Sequence, residues 1–132
     1  MVIGFHQQVV SPGDPSTGLA TGKRIHTPFI ITKEIDKSTP LLYSALVNNE
    51  NLTNWELQCF ALKGAGVEVN NYTVNLTNAK VVDIDSNMLN SKISENAQLL
   101  LMEQVNFIYQ KIKWTSMTGG ITSEDDWISP VT

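Results

Sequence analysis

The run Arg24-Ile25-His26-Thr27-Pro28-Phe29-Ile30-Ile31-Thr32-Lys33-Glu34-Ile35-Asp36-Lys37-Ser38-Thr39-Pro40-Leu41-Leu42-Tyr43-Ser44-Ala45-Leu46 joins a strand to a capped helix and contains no catalytic pattern. From Phe29 to Glu34 the β-branched and aromatic side chains suit a pleated, half-buried surface. Asp36 to Thr39 interrupts that pattern. Pro40 suits the first helical position, where its missing N–H costs nothing, and Thr39 before it is expected to act as N-cap, worth about 1 kcal/mol. Leu41, Leu42, Ala45 and Leu46 recur at helical spacing and Asn48 with Asn49 supplies a stop, so a short helix is expected over residues 40–48, its apolar stripe docked on a sheet.

Outward from this junction the chain reads as strands. Val2 to Val10 is expected to form the first. Ser11 to Lys23 reads as a loop, because Pro12, Gly13, Pro15, Gly18 and Gly22 crowd among Ser and Thr; connections beyond about 12 residues without structure of their own are usually functional or disordered, so this one is a candidate contact element, the alternative being a mobile, solvated surface loop. Downstream, Asn54 to Ala61 alternates, the glycines of Lys63-Gly64-Ala65-Gly66 suit a hairpin turn, and Val67 to Leu76 is the partner, with Tyr72, Val74 and Leu76 on one face. Lys80 to Asp85 is expected as a further strand with Val82 and Ile84 facing one way, followed by a polar loop from Asp85 to Gln98. Leu99 to Tyr109 puts Val105, Phe107 and Tyr109 on one side, and Lys111 to Met117 places Ile112 and Trp114 among polar neighbours. The expectation is a mainly β fold, an antiparallel barrel or sandwich of about seven strands with one short α-helix, since a lone helix cannot supply the crossovers of a parallel sheet.

Three separated segments resemble the tube protein of bacterial type VI secretion systems, the haemolysin-coregulated protein (Hcp) family. Lys33, Ile35-Asp36-Lys37-Ser38-Thr39-Pro40 and Leu42-Tyr43 are similar to that family's strand-to-helix signature. Tyr109-Gln110-Lys111-Ile112-Lys113-Trp114-Thr115 resembles its final strand, and Asp125-Asp126-Trp127 its C-terminal segment. The three stand in the family's order and cover most of the chain. The resemblance implies a single Hcp-like β-barrel domain over residues 1–132, without the strand that normally precedes the one matching Val2 to Val10. Loss of such an edge strand would leave unpaired backbone groups on its neighbour, open to pairing with another chain.

The resemblance further implies a structural subunit, not an enzyme. Family members form homohexameric rings that stack into the inner tube, carry and chaperone small effectors in the lumen, and meet the sheath and spike of the apparatus. A ring requires heterologous contacts, so each copy must present two different surfaces. Pro12, Gly13, Asp14 and Pro15 are the candidates for ring stacking, and Lys33, Ile35, Asp36, Lys37, Ser38, Thr39, Pro40, Leu42 and Tyr43 carry the signature, expected to serve fold and ring geometry. His6 and Gln8, alternating along the first strand, are candidates to face the lumen. Members of the family leave the cell without a cleaved signal, so synthesis in the cytoplasm followed by secretion is expected.

Composition fits this reading. At 132 residues, with 42% hydrophobic and 17% charged residues, the chain is an ordinary globular domain that needs no metal, cofactor or disulfide to fold. A net charge of -4 with only 9 Lys and Arg argues against a nucleic-acid surface, which needs a clustered basic face to displace counterions. No basic, apolar leader opens the chain, and no run approaches the roughly 20 apolar residues that span a bilayer. Cys59 is the only cysteine and alternates with Trp55, Leu57 and Ala61, which reads as a buried structural thiol.

Chemical motifs fail one by one. Thr17 to Arg24 imitates a phosphate loop, but only three residues separate Gly18 from Gly22 where four are needed, and Arg24 replaces the metal-binding hydroxyl. Asp83, Asp85 and Asn87 imitate the opening of a calcium loop, yet Met88 stands where the turn needs glycine and Ser94 where a bidentate glutamate is required. His6 and His26 lack a partner at metal-ligand spacing and have no marked nucleophile to activate. Glu124, Asp125 and Asp126 read as a solvated turn. The sequons at Asn51, Asn71 and Asn75 follow from a composition rich in Asn and Thr. The alternative reading is a stand-alone β-module that binds carbohydrate or a small ligand; a glycan hydrolase using Glu124 or Asp125 ranks third.

Overall fold

A computed structural model describes residues 2–19, 22–64, 66–88, 90, 92–93 and 101–127. Among them are nine strands and one helix: β1 (Val2–His6), β2 (Val9–Val10), β3 (Ile25–His26), β4 (Phe29–Glu34), α1 (Thr39–Val47), β5 (Leu52–Lys63), β6 (Val67–Met88), β7 (Leu101–Ile108), β8 (Lys111–Ser116) and β9 (Ile121–Asp126). Every strand pair is antiparallel. The mainly β fold with one short helix is as expected, and the described residues gather into two compact units.

The first unit holds the residues up to Glu50 together with Lys80–Ile108. Its strands run in the order β1, β4, β7 and the second half of β6. Registers set three rows across β4, β7 and β6. Phe29 faces Phe107, which faces Val81; Ile31 faces Val105, which faces Ile84; Lys33 faces Glu103, which faces Ser86. Phe29, Ile31, Val81, Val105 and Phe107 are buried, and the Phe5 ring stacks on Phe29 with centroids 5.5 Å apart. Directly opposed side chains share a face of a sheet, so the third row sets a lysine and a glutamate on the side that carries the core.

The second unit holds Asn51–Ala79 and the residues from Tyr109 onward. Here β5, the first half of β6, β8 and β9 pair in that order. Leu57 faces Val74 and Leu76 faces Ile112, all four buried. Trp127 closes the C-terminal side: its indole N–H donates to the Tyr109 carbonyl, and the two rings lie 6.5 Å apart.

Several boundaries differ from the expected ones. The first strand is two: β1 stops at His6, and Gln8 is clasped by Thr27, whose N–H donates to the Gln8 carbonyl at 3.0 Å while the Gln8 N–H donates to the Thr27 hydroxyl at 3.1 Å. The strands expected over Val67 to Leu76 and Lys80 to Asp85 are one strand, β6. The gap left between them at Thr77 to Ala79 is part of the strand: Asn78 takes a left-handed φ of 52° that asparagine tolerates, and its side-chain amide donates to Gln110. Val82 does not share a face with Ile84. A bulge between Val81 and Asp83 leaves Val81 buried and Val82 exposed, because one extra residue resets the alternation. Glu124, Asp125 and Asp126 lie in strand β9 and not in a solvated turn. Glu124 and Asp126 stand opposite Lys113 and Lys111, which offsets the poor strand propensity of acids. The loop expected from Asp85 to Gln98 is corrected at its start, since Asp85 to Met88 continue β6, and half of it, Ser94 included, lies outside the described residues.

Candidate functional site

The helix approach is built around Lys33, the last buried position of β4. Its ammonium donates to the Glu103 carboxylate, to Asp36 at 3.1 Å and to the Glu34 carbonyl at 2.9 Å. Thr39 completes the clasp: its hydroxyl donates to Glu103 at 2.9 Å and accepts the Asp36 N–H at 3.1 Å. The expected N-cap is therefore corrected. Thr39 is already helical, Ser38 occupies the cap position without a side-chain capping bond, and the Thr39 hydroxyl turns back to the strand end. Asp36 instead accepts the Ser38 N–H and hydroxyl. The Tyr43 hydroxyl reaches Ser86 of β6 at 2.7 Å. Lys33, Asp36, Ser38, Thr39 and Tyr43 thus fasten β4, α1, β6 and β7 within one unit, with Ile35 bonded through its N–H to the Leu101 carbonyl.

Electrostatics follow from that geometry. The Ser38 hydroxyl, then Lys33 and the Ser38 N–H, hold the Asp36 carboxyl well below the usual carboxylate range. Burial alone would lower the Lys33 pKa, but the hydrogen bonds and charges of Glu103 and Asp36 outweigh it and raise it.

The loop residues Pro12, Gly13, Asp14 and Pro15 form a tied turn. The Asp14 carboxylate accepts the Ser16 N–H at 2.9 Å and hydroxyl at 2.7 Å, bonds that pull its pKa down. Its backbone is bonded in both directions, to the Leu19 carbonyl and from the Gly18 N–H. Gly18 adopts a φ of 72°, which favours glycine. The turn presents Pro15 and Leu19 to solvent. His6 and Gln8 are both exposed, but only His6 belongs to a strand.

No chemical constellation forms from the other candidates. The phosphate-loop imitation leads into strand β3, not a helix, so it lacks the N–H groups and dipole such a loop uses. Asp83, Asp85 and Asn87 sit along β6, and an extended strand cannot wrap an ion. Among the described residues no three His, Cys, Asp or Glu side chains converge on a metal position. Cys59 is half-buried, and burial pushes its thiol pKa up, which suits an unreactive thiol. His26 is buried in β3. Glu124 pairs with Lys111 at 3.3 Å on the surface. A cleft of about 410 Å³ opens beside Ile3, Thr32, Asp85, Asn87, Met102 and Gln104, and no aromatic ring among the described residues lines it. No helix among the described residues is long and apolar enough to cross a membrane.

Glu103 is the site residue that the motif reading missed. Its signal was present: it is in phase with Val105, Phe107 and Tyr109, so the alternation sets a carboxylate on the core face, where it needs a partner.

Comparison with known proteins places this geometry. The family described as "Type VI secretion system effector, Hcp" matches residues 1–116. The "Major exported protein" of Pseudomonas aeruginosa is 44% identical over 131 residues, covering 99% of this chain and 76% of that protein. Among solved structures, an Hcp protein superimposes with a TM-score of 0.89 at 31% identity, covering 96% of this chain and 76% of that one. Hcp1 from the E. coli EAEC 042 pathovar, as a double mutant, gives 0.81 at 37% identity, covering 96% and 79%. Hcp3 of Pseudomonas aeruginosa gives 0.74 at 36% identity, covering 96% and 74%.

Proposed function

The chain belongs to the Hcp family of type VI secretion proteins, and from that premise we propose that it is a tube subunit: a non-enzymatic building block whose copies close into hexameric rings, stack into the inner tube and carry small effectors in the lumen. The observation that carries this reading is 44% identity to an exported bacterial protein over nearly the whole chain. Its folded form supports it, being a β scaffold in which Lys33 and Glu103 are spent on a buried clasp and Lys111 with Glu124 on a surface pair.

Within that reading each candidate has a place. Pro12, Gly13, Asp14 and Pro15 form the stacking contact, since their turn is pre-shaped by its own hydrogen bonds and loses little entropy on docking. Lys33 to Tyr43 keep the helix in a fixed pose for ring contacts. His6, exposed on β1, and Gln8 face the lumen. Sheath, spike and effector proteins are the further partners, and the product is secreted after cytoplasmic synthesis.

The test is the particle formed by the purified chain, measured by light scattering after size exclusion and imaged by negative stain. A ring of about six protomers is expected, closed point symmetry being the rule for soluble homo-oligomers. A monomer at every concentration refutes the tube reading and reopens the ligand-binding β-module, for which the 410 Å³ cleft is the place to look.

A further inference from the structure

We infer that the free end of the β5–β6 hairpin is an arm that docks on a second copy of this chain, an inference that rests on the assembly reading above. From Tyr72 onward β6 is flanked by β5 and β8, but from Val67 to Asn70 it pairs, among the described residues, with β5 alone. A two-stranded ribbon standing by itself is at best marginally stable in water. This one exposes apolar side chains on both faces. Phe60 and Leu62 stand opposite Asn70 and Glu68 on one face, and Ala61 stands opposite Val69, two residues from Val67, on the other. Phe60 is 55% exposed, Leu62 72%, Val67 58% and Val69 38%.

Single exposed hydrophobes are ordinary, but four on one short ribbon are not. Together they offer roughly 400 Å² of apolar surface, divided between the two faces of the ribbon. That is about half of the ~800 Å² that one partner brings to a standard interface. A patch on one face is covered by lying flat; exposure on both faces requires an occupant that flanks the ribbon. Along Val67–Asn70 the edge of β6 away from β5 has no strand partner among the described residues, and a strand edge of that kind is suited to main-chain pairing with another chain.

Chemistry selects a copy of the same chain. Among Phe60–Lys63 and Val67–Asn70 the charges of Lys63 and Glu68 cancel, so neither phosphate nor an acidic membrane surface is matched, and Phe60, Leu62, Val67 and Val69 are left as the apolar anchors of a protein interface. The chain itself carries an uncharged apolar counterpart. Helix α1 contains no charged residue and leaves Leu41 72% and Val47 75% exposed. Contact between an arm and a different surface of the next copy is heterologous and propagates into a ring or filament.

The experiment compares the unmodified chain with the double variants Phe60→Thr/Leu62→Thr and Val67→Thr/Val69→Thr, threonine being chosen to keep strand propensity. Light scattering across a dilution series reads assembly, and circular dichroism verifies that each variant is folded. Assembly weakened by about tenfold or more in a folded variant supports the arm, as truncating two interface anchors would give. Unchanged assembly of folded variants overturns it and leaves the ring reading standing. A monomeric unmodified chain overturns the ring reading and the choice of occupant with it. Should the variants not fold, hydrogen exchange on the unmodified protein decides: Val67–Asn70 amides that slow on assembly support the arm, and amides that exchange equally fast in both states overturn it.

Discussion

The Lys33 ammonium of β4 and the Glu103 carboxylate of β7 form an ion pair at directly opposed positions of the sheet, with both side chains shut off from solvent. Such a pair contributes little net stability against an apolar replacement, yet breaking it strands a buried charge. Lys33→Met is therefore expected to lower the unfolding free energy by about 3–5 kcal/mol, while Lys33→Met with Glu103→Leu recovers most of the loss. Urea denaturation of the two variants measures this. A single variant losing under about 1 kcal/mol would mean that the pair is not sealed in solution.

Asp36 supplies a pH signature. Because its folded pKa is depressed, its contribution is complete above the unfolded value of about 3.9 and is lost as pH falls through the folded value, which lies below the usual range. The difference in thermal midpoint between the native chain and Asp36→Asn should be constant from neutral pH down to about 4 and shrink below it. Lys33, with its raised pKa, behaves in the opposite sense: its share persists through neutrality and fades only as alkaline pH passes its folded value. A midpoint difference that stays the same at pH values below 4 would remove Asp36 from the clasp.

The strand-to-helix junction was legible in the sequence because its signals are local. Phe29, Ile31 and the Pro40 start each declare themselves within a few residues, and the helix lies within one residue of its expected span. The Thr39 hydroxyl was misassigned because its partner is non-local: Glu103 lies 64 positions away and reaches it only through the β4–β7 register. Strand β9 was hidden for the same reason, since its acids pair with lysines of β8 and read alone as a solvated turn. Bulges such as that at Val82 leave no mark in composition, so the face of that residue could not be read in advance.

Trp127 is expected to anchor the C-terminal side of the second unit through one hydrogen bond and one ring contact. Trp127→Phe keeps an aromatic ring but removes the indole donor and leaves the Tyr109 carbonyl without it, a loss of about 1 kcal/mol. Thermal unfolding followed by tryptophan-independent far-ultraviolet dichroism tests this, and an unchanged midpoint would assign the residue to the surface.

Asp14 separates assembly from folding. Among the described residues its carboxylate bonds within its own turn, to Ser16 and Thr17, and no residue of the turn is buried, so Asp14→Ala should leave the thermal midpoint close to that of the unmodified chain. If the turn is the stacking contact, loosening it raises the entropy that must be surrendered when one ring meets the next. Single rings should then form normally while stacked tubes become rarer and shorter in negative-stain images at equal protein concentration. Loss of the rings themselves would place Asp14 in the lateral contact, and tubes of unaltered length would remove the Pro12–Pro15 turn from stacking altogether.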